Sequence, residues 1–322
     1  MRDDEKKVLL QQQIEQEIDF DKLTEFCEHL TDAVQEIFRS CGLYFRIFSR
    51  VKSTDSIANK LIRRQYGTEQ NPKKLQDLIG IRVVLYYYDD LSICRDIMES
   101  TFQMLDHWSR TNASALPIDT TFEIQFRTVF FEGWHEIEHD MRYKSLLSDN
   151  EFWRGSEELS RILNCILANL ELSDWSLVQL FEQLSYNHYK NANWELMLKS
   201  KFRIHMDDNS ELDPAILELF DRDKEIAKQF FKCKRKDLIR ELLKLDAPQP
   251  SYNLIVKLLN DSKIHNEEVA AICDKLPIIR DEKMRSRSHF ARLDSAVLFH
   301  LETYLLHKEV RSLASEFTNA SN

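Results

Sequence analysis

Strand-forming sequence is confined to three short stretches between residues 44 and 128, and this limits the folds open to the chain. Tyr44 to Val51 alternates apolar and polar residues, as a half-buried strand does. Leu75 to Tyr88 holds the dense run Ile79-Gly-Ile-Arg-Val-Val-Leu, which reads as a central strand. Thr121 to Thr128 puts Phe122, Ile124 and Phe126 on one side and Glu123, Gln125 and Arg127 on the other. Asp89 to Phe102 and Phe130 to Lys144 read as helices. Alternating strand and helix implies a sheet covered by helices.

The flanks are helical. Leu23, Phe26, Cys27, Leu30, Ala33, Val34 and Ile37 keep helical spacing within one predicted helix over 5–40, with Gly42 as its stop. Ser53 or Asp55 can cap a helix running to about Tyr66. Beyond about residue 150 the pattern predicts helices over 152–174, 175–190 and 192–202. Asp213 and Pro214, a cap followed by a first-turn proline, start a helix over 214–230. Helical pairs continue to 317, and the polar stretch 206–213 reads as a linker.

At 322 residues the chain has room for about two domains. Its five glycines are isolated, so a phosphate loop and a dinucleotide fingerprint are both excluded. A nucleotide would have to be held by side chains. Net charge of −10 argues against wholesale nucleic-acid binding. Residues 45–76 are nevertheless basic, which suggests a small polyanionic ligand. Six cysteines without a C-x-x-C pair read as buried free thiols of a reducing cytosol. With no apolar signal core and no long apolar span, a soluble cytoplasmic protein away from membranes is expected.

Two segments carry the chemistry. Arg50, Lys52, Ser56 and Lys60 place cations and a hydroxyl beside a helix start. Asp77, where the central strand begins, and Glu123, mid-strand, could share one face and hold a divalent ion if their strands are neighbours. The plainer alternative is that Asp77 caps a turn and Glu123 pairs with Arg127 or Arg82. The basic runs Lys232, Lys234, Arg235, Lys236 and Lys283, Arg285, Arg287 read as solvated faces, and the stripe Leu298, Phe299, Leu301, Tyr304, Leu305 as helix packing.

Four ordered blocks resemble the synthetase domain of the RelA/SpoT alarmone enzymes: Arg50, Lys52, Ser56, Ile57, Lys60; then Asp77, Gly80, Arg82; then Glu123, Gln125, Arg127, Thr128; then Trp134, Glu138, His139, Tyr143, Lys144. The resemblance implies an α+β fold, a mixed sheet flanked by helices and related to nucleotidyltransferases, followed here by an all-α domain. The implied division is 1–43 as N-terminal helices, 44–145 as the synthetase core, 146–205 as helices extending it, and 206–322 as a regulatory or partner-binding domain. The implied reaction moves the β,γ-pyrophosphate of ATP to the 3′-hydroxyl of GDP or GTP. Asp77 then binds magnesium, and Glu123 binds the same ion or accepts the hydroxyl proton. Arg82 and Arg127 stabilise charge. Arg50, Lys52, Ser56, Lys60, Gln125, Glu138, His139 and Lys144 contact nucleotide.

The chain departs from that family between the two core strands. The family's Gly-Tyr-x-Ser-x-His segment, whose tyrosine stacks on the acceptor guanine, is missing from the glycine-free span between Tyr88 and Thr121. The acceptor therefore stays open. A toxic relative that modifies adenine nucleotides or the 3′ end of tRNA, and an inactive nucleotide-sensing module with its C-terminal helices as a protein-partner surface, are the alternatives. Oligomeric state is also open. His135, Glu136 and His139 form an H-E-x-x-H pattern, the mark of a zinc peptidase. The alternating acids around it and the overlap with the alarmone-type block count against that reading.

Overall fold

The computed structural model describes residues 3–102, 116–119, 121–142, 157–207, 209–245 and 250–276. Tyr143, Lys144, the second basic run and the stripe at Leu298 to Leu305 lie outside the described residues.

Two helices, α1 (Asp3–Glu17) and α2 (Phe20–Ser40), precede β1 (Phe45–Val51), α3 (Thr54–Arg64), β2 (Ile79–Leu85), α4 (Asp90–Thr101), β3 (Phe122–Thr128) and α5 (Val129–Arg142). The single helix expected over 5–40 is broken at Asp19. Its backbone is extended there, and its carboxylate accepts from the Lys22 N–H, the geometry of an N-cap.

The sheet order is β1-β2-β3, with β1 antiparallel and β3 parallel to the central β2. This is the mixed α+β sheet that the resemblance implies. Register assigns the two faces. Ile79, Ile81, Val83 and Leu85 of β2 are buried with Phe26, Leu30, Val34 and Phe38 of α2 and with Ile93, Cys94 and Ile97 of α4. Each such side chain, fully buried, contributes roughly 1.5–3 kcal/mol. The opposite face aligns Arg50, Gly80 and Glu123 in one row across the three strands, and Phe48, Arg82 and Gln125 in the next.

A second core follows. The helices expected over 152–174 and 175–190 are one continuous helix, α6 (Glu157–Lys190). No glycine or proline interrupts that span. After α7 (Trp194–Phe202), the helix expected over 214–230 divides into α8 (Pro214–Arg222) and α9 (Lys224–Lys232). Asp223 ends the first and caps the second, its carboxylate accepting from Glu225 N–H at 2.9 Å. Then come α10 (Arg235–Leu242), α11 (Tyr252–Leu259), a π-turn (Asn260–Ile264) and α12 (Glu267–Cys273). The second apolar cluster runs from Trp194 to Cys273 and takes in Met206 and Leu212, so the stretch read as a linker contributes two side chains to it.

Two expectations are corrected here. Arg235, expected on a solvated face, is 6% exposed and ion-pairs with the buried Asp90. Cys165 is exposed and Cys233 half-buried, whereas Cys27, Cys41, Cys94 and Cys273 are buried free thiols. Among the described residues no helix is long and apolar enough to cross a membrane.

Candidate active site

Asp77 sits two residues ahead of β2, at the edge of the polar sheet face. One of its carboxylate oxygens, Oδ2, accepts from both Lys52 and Lys60, each at 2.5 Å. The sequence sets up this convergence. Ser53 caps α3, with its hydroxyl oxygen accepting from the Ser56 N–H. Lys52 stands just before that cap, and Lys60 lies on the helix, so both lysines reach the Asp77 carboxylate. Burial pushes the Asp77 carboxyl up, but the two ammonium groups outweigh it and hold the group below its ordinary range. Burial depresses Lys52, partly offset by Asp77. The other oxygen, Asp77 Oδ1, is buried and has no hydrogen-bond partner among the described residues.

Glu123 is exposed mid-strand on β3, directly opposite Gly80. It is not paired with Arg82 or Arg127, as the plainer reading had it. Both arginines turn instead to α5. Arg82 donates to Glu132 at 2.6 Å and to Glu136 at 2.5 Å, while Arg127 donates to Glu132 at 2.9 Å and to Gln125 at 3.1 Å. Glu132 is the functional residue that sequence reasoning missed. Its only signal was a carboxylate in the first turn of a helix that follows an arginine-bearing strand.

Two cavities meet at the carboxylate pair. The smaller, about 370 Å³, lies over the polar sheet face and is lined by Arg50, Gly80, Arg82, Gln125, Arg127 and His135 as well as Asp77 and Glu123. The larger, about 570 Å³, lies on the α3–α4 side and is lined by Lys60, Tyr66, Lys73, Lys74 and Phe102 as well as the same two acids. Both volumes fall within the range of small-molecule sites, about 300–1,000 Å³. Gly80 keeps the first cavity deep. Its φ is not positive, and a Cβ built there meets nothing within 4 Å, so neither backbone nor packing demands glycine.

The structure brings Arg50, Asp77, Arg82, Glu123, Gln125 and Arg127 to one site, with Lys52 and Lys60 bound to its acid. It does not bring Ser56 or Glu138 into the lining of either cavity. Ser56 is held in the α3 cap, where its hydroxyl oxygen accepts from Ser53 at 2.9 Å. His139 is placed only as a helix position, its side chain lying outside the described residues. Glu136, the base of the zinc-peptidase reading, is engaged by Arg82. No group of three or more metal-ligating side chains exists among the described residues. Two carboxylates, one with a buried orphan oxygen, do suit magnesium, which takes one or two carboxylates and fills its shell with water and substrate phosphate oxygens.

Part of the chain is similar to known proteins. Residues 49–117 match the family model described as "Region found in RelA / SpoT proteins". GTP pyrophosphokinase YwaC of Bacillus subtilis (strain 168) is 24% identical over 119 residues, covering 30% of this chain and 57% of that relative. The chain thus spans little more than half the length of that relative. Among solved structures, small alarmone synthetase 1 from Bacillus subtilis is 18% identical over 50% of this chain and 92% of that one, with a TM-score of 0.37. A GTP pyrophosphokinase family protein from Streptococcus pneumoniae is 19% identical over 50% of this chain and 89% of that one, with a TM-score of 0.36. The Bacillus subtilis synthetase bound to its product pppGpp is 17% identical over 49% of this chain and 91% of that one, with a TM-score of 0.36.

Proposed function

We propose that this chain, which carries a RelA/SpoT-type synthetase domain, is a magnesium-dependent pyrophosphokinase that moves the β,γ-pyrophosphate of ATP to the 3′-hydroxyl of a guanosine nucleotide. The observation that carries the reading is the pair Asp77 and Glu123, shared by two adjoining cavities. A transfer between two nucleotides needs two binding spaces that meet at the reacting atoms.

The roles follow from the chemistry of each group. Arg50, alone of the three arginines lining the smaller cavity in having no ion pair among the described residues, stacks on or pairs with the donor nucleotide. Lys52 and Lys60 exchange the Asp77 carboxylate for the triphosphate when it enters. Asp77 and Glu123 would hold magnesium, which when bound would neutralise charge on the phosphates. Glu123 accepts the proton of the 3′-hydroxyl. The hydroxyl oxygen forms a bond to the β-phosphorus. The bond from that phosphorus to the α,β-bridging oxygen breaks, and AMP departs with the electron pair. Arg82 and Arg127, aligned by Glu132, stabilise charge on the transferred group without leaving their salt bridges.

The test is a transfer assay with β,γ-labelled ATP and GDP, GTP, AMP or tRNA as acceptor. Label should pass to GDP or GTP, and chelation of divalent ions should stop it. Label that passes only to tRNA or AMP would replace the acceptor. Absence of transfer to any acceptor, with ATP still bound, would favour the sensing module.

A further inference from the structure

The H-E-x-x-H block leaves one carboxylate without a part in the transfer. Glu136 lines the smaller cavity beside Arg82, Arg127 and His135. Arg82 donates through a single nitrogen, Nη1, to two carboxylates one turn apart on α5, Glu132 and Glu136. The two are held differently. Glu132 engages both its oxygens, one with Arg82 at 2.6 Å and the other with Arg127 at 2.9 Å, and its side chain is only 15% exposed. Glu136 reaches Arg82 through one oxygen at 2.5 Å, and its side chain is 51% exposed.

A carboxylate that bridges two guanidiniums is fixed at both ends, whereas a half-exposed ion pair made through one oxygen contributes little. Like charges four residues apart on a helix also repel each other. Glu132 is therefore the frame, and Glu136 is the partner that Arg82 can give up. The register shows what could replace it. Arg50 opposite Gly80, Arg82 opposite Phe48 and Gln125, and Arg127 opposite Val84 stand in three consecutive rows of the polar sheet face. Successive rows are two residues, or about 6.6 Å, apart along the strand. Three guanidiniums in such a ladder repel one another when the cavity is empty and suit an extended polyanion when it is filled. Glu136 supplies an anion to the middle rung meanwhile.

We propose that Glu136 is an anionic placeholder: it occupies the position of a substrate phosphate on Arg82, is displaced when a polyphosphate enters, and so sets the affinity of the smaller cavity for a triphosphate. This rests on the reading above in which that cavity takes the donor nucleotide. A carboxylate and a phosphate edge offer Arg82 the same charge sign and the same kind of acceptor oxygen, so one can replace the other without moving the guanidinium. Arg82 keeps its bond to Glu132 throughout, and its aim with it. Glu136 acts through Arg82, as a positioning residue. Because it is displaced before the reaction begins, it weakens the bound substrate and the transition state equally, and its removal should tighten binding without changing the rate of the bound complex.

The test uses the full chain and calorimetry. Glu136→Gln should bind a non-hydrolysable ATP analogue and inorganic tripolyphosphate about three- to fivefold more tightly than the wild type does. Adenosine, which brings no phosphate, should bind both proteins alike. Glu136→Asp keeps the charge and should stay closer to the wild type than Glu136→Gln. Glu132→Gln should do the reverse and weaken both anions, because Arg82 and Arg127 lose their common tether. In the transfer assay Glu136→Gln should lower the KM for ATP by the same factor as the affinity gain, with kcat held within about twofold. Tripolyphosphate bound by Glu136→Gln no more tightly than by the wild type overturns the assignment, and so does an equal gain for adenosine. If the tripolyphosphate gain appears but no pyrophosphate is ever transferred, the placeholder stands and the transfer reading fails.

Discussion

Two charge clusters in this protein use the same residue types to opposite ends. At the open sheet edge, one oxygen of Asp77 holds two lysines while the other has no hydrogen-bond partner among the described residues, and the two lysines hold the carboxyl below its ordinary range. About the far end of β2, Asp89 and Asp90 are gripped by Arg203 of the α7 cap and Arg235 of α10, with both guanidiniums packed on the Tyr87 ring at 5.0 and 5.3 Å. Here Asp90 is fully buried. Loss of water pushes its carboxyl up to about 6 despite the arginines, and Asp89 adds to the rise. The first cluster can trade partners with an incoming phosphate, because solvent and ligand reach it. The second fastens the helical half to the strand that carries Gly80 and Arg82, and it has no room for exchange. Exposure, more than charge, decides which of the two can be a site.

The largest expected effect is in the buried cluster. Arg235→Met should destabilise the protein by roughly 3–5 kcal/mol, because Asp90 is left buried without its counter-ion, whereas Arg235→Met/Asp90→Leu should recover most of that loss. Chemical denaturation of the three proteins checks this, and a double variant as unstable as the single one would show that the arginine acts through packing alone.

The open cluster should respond in the other coordinate. Asp77→Ala or Glu123→Ala should lower transfer by about 10²–10³. Glu123→Gln should change stability by less than about 0.5 kcal/mol, because its side chain is exposed. Steady-state rates read against melting curves separate the two quantities.

These contrasts bear on what the sequence could reveal. Period-two alternation was enough to place Glu123, Gln125 and Arg127 on one face, because a strand fixes that by geometry alone. The lysines at 52 and 60 were legible because a cap and a short helix set their spacing. Glu132 and Arg235 were not. Each meets a partner 50 or more residues away, at Arg82 and Asp90, and no local period encodes such a meeting. The breaks at Asp19 and Asp223 were also hidden, since an aspartate inside an apolar helical pattern looks like a surface residue until its carboxylate turns to cap.

A smaller effect sharpens the role of Gly80. Gly80→Val should leave stability unchanged or slightly raised, since nothing in the protein meets the new side chain, while weakening the ligand of the smaller cavity by about tenfold or more. A melting temperature that falls together with affinity would assign the glycine to packing.

The pH response should be smaller still. Asp90 has its folded pKa raised above the unfolded value, so its contribution to stability is full below about pH 4 and is lost as pH rises through about 6. Asp77 runs the other way, its contribution being present above about pH 4 and lost as pH falls below that. Relative to wild type, the stability deficit of Asp90→Asn should therefore shrink between pH 4 and 6. A deficit that grows over that interval would mean Asp90 is held ionised by Arg235.

The central claim is that one pair of acids serves two separate nucleotide spaces. Calorimetry on the full chain, first saturated with a non-hydrolysable ATP analogue and magnesium and then titrated with GDP, tests it most directly. The account predicts one further GDP bound per chain, with the analogue retained. Competition, in which GDP binds only by expelling the analogue, would contradict it.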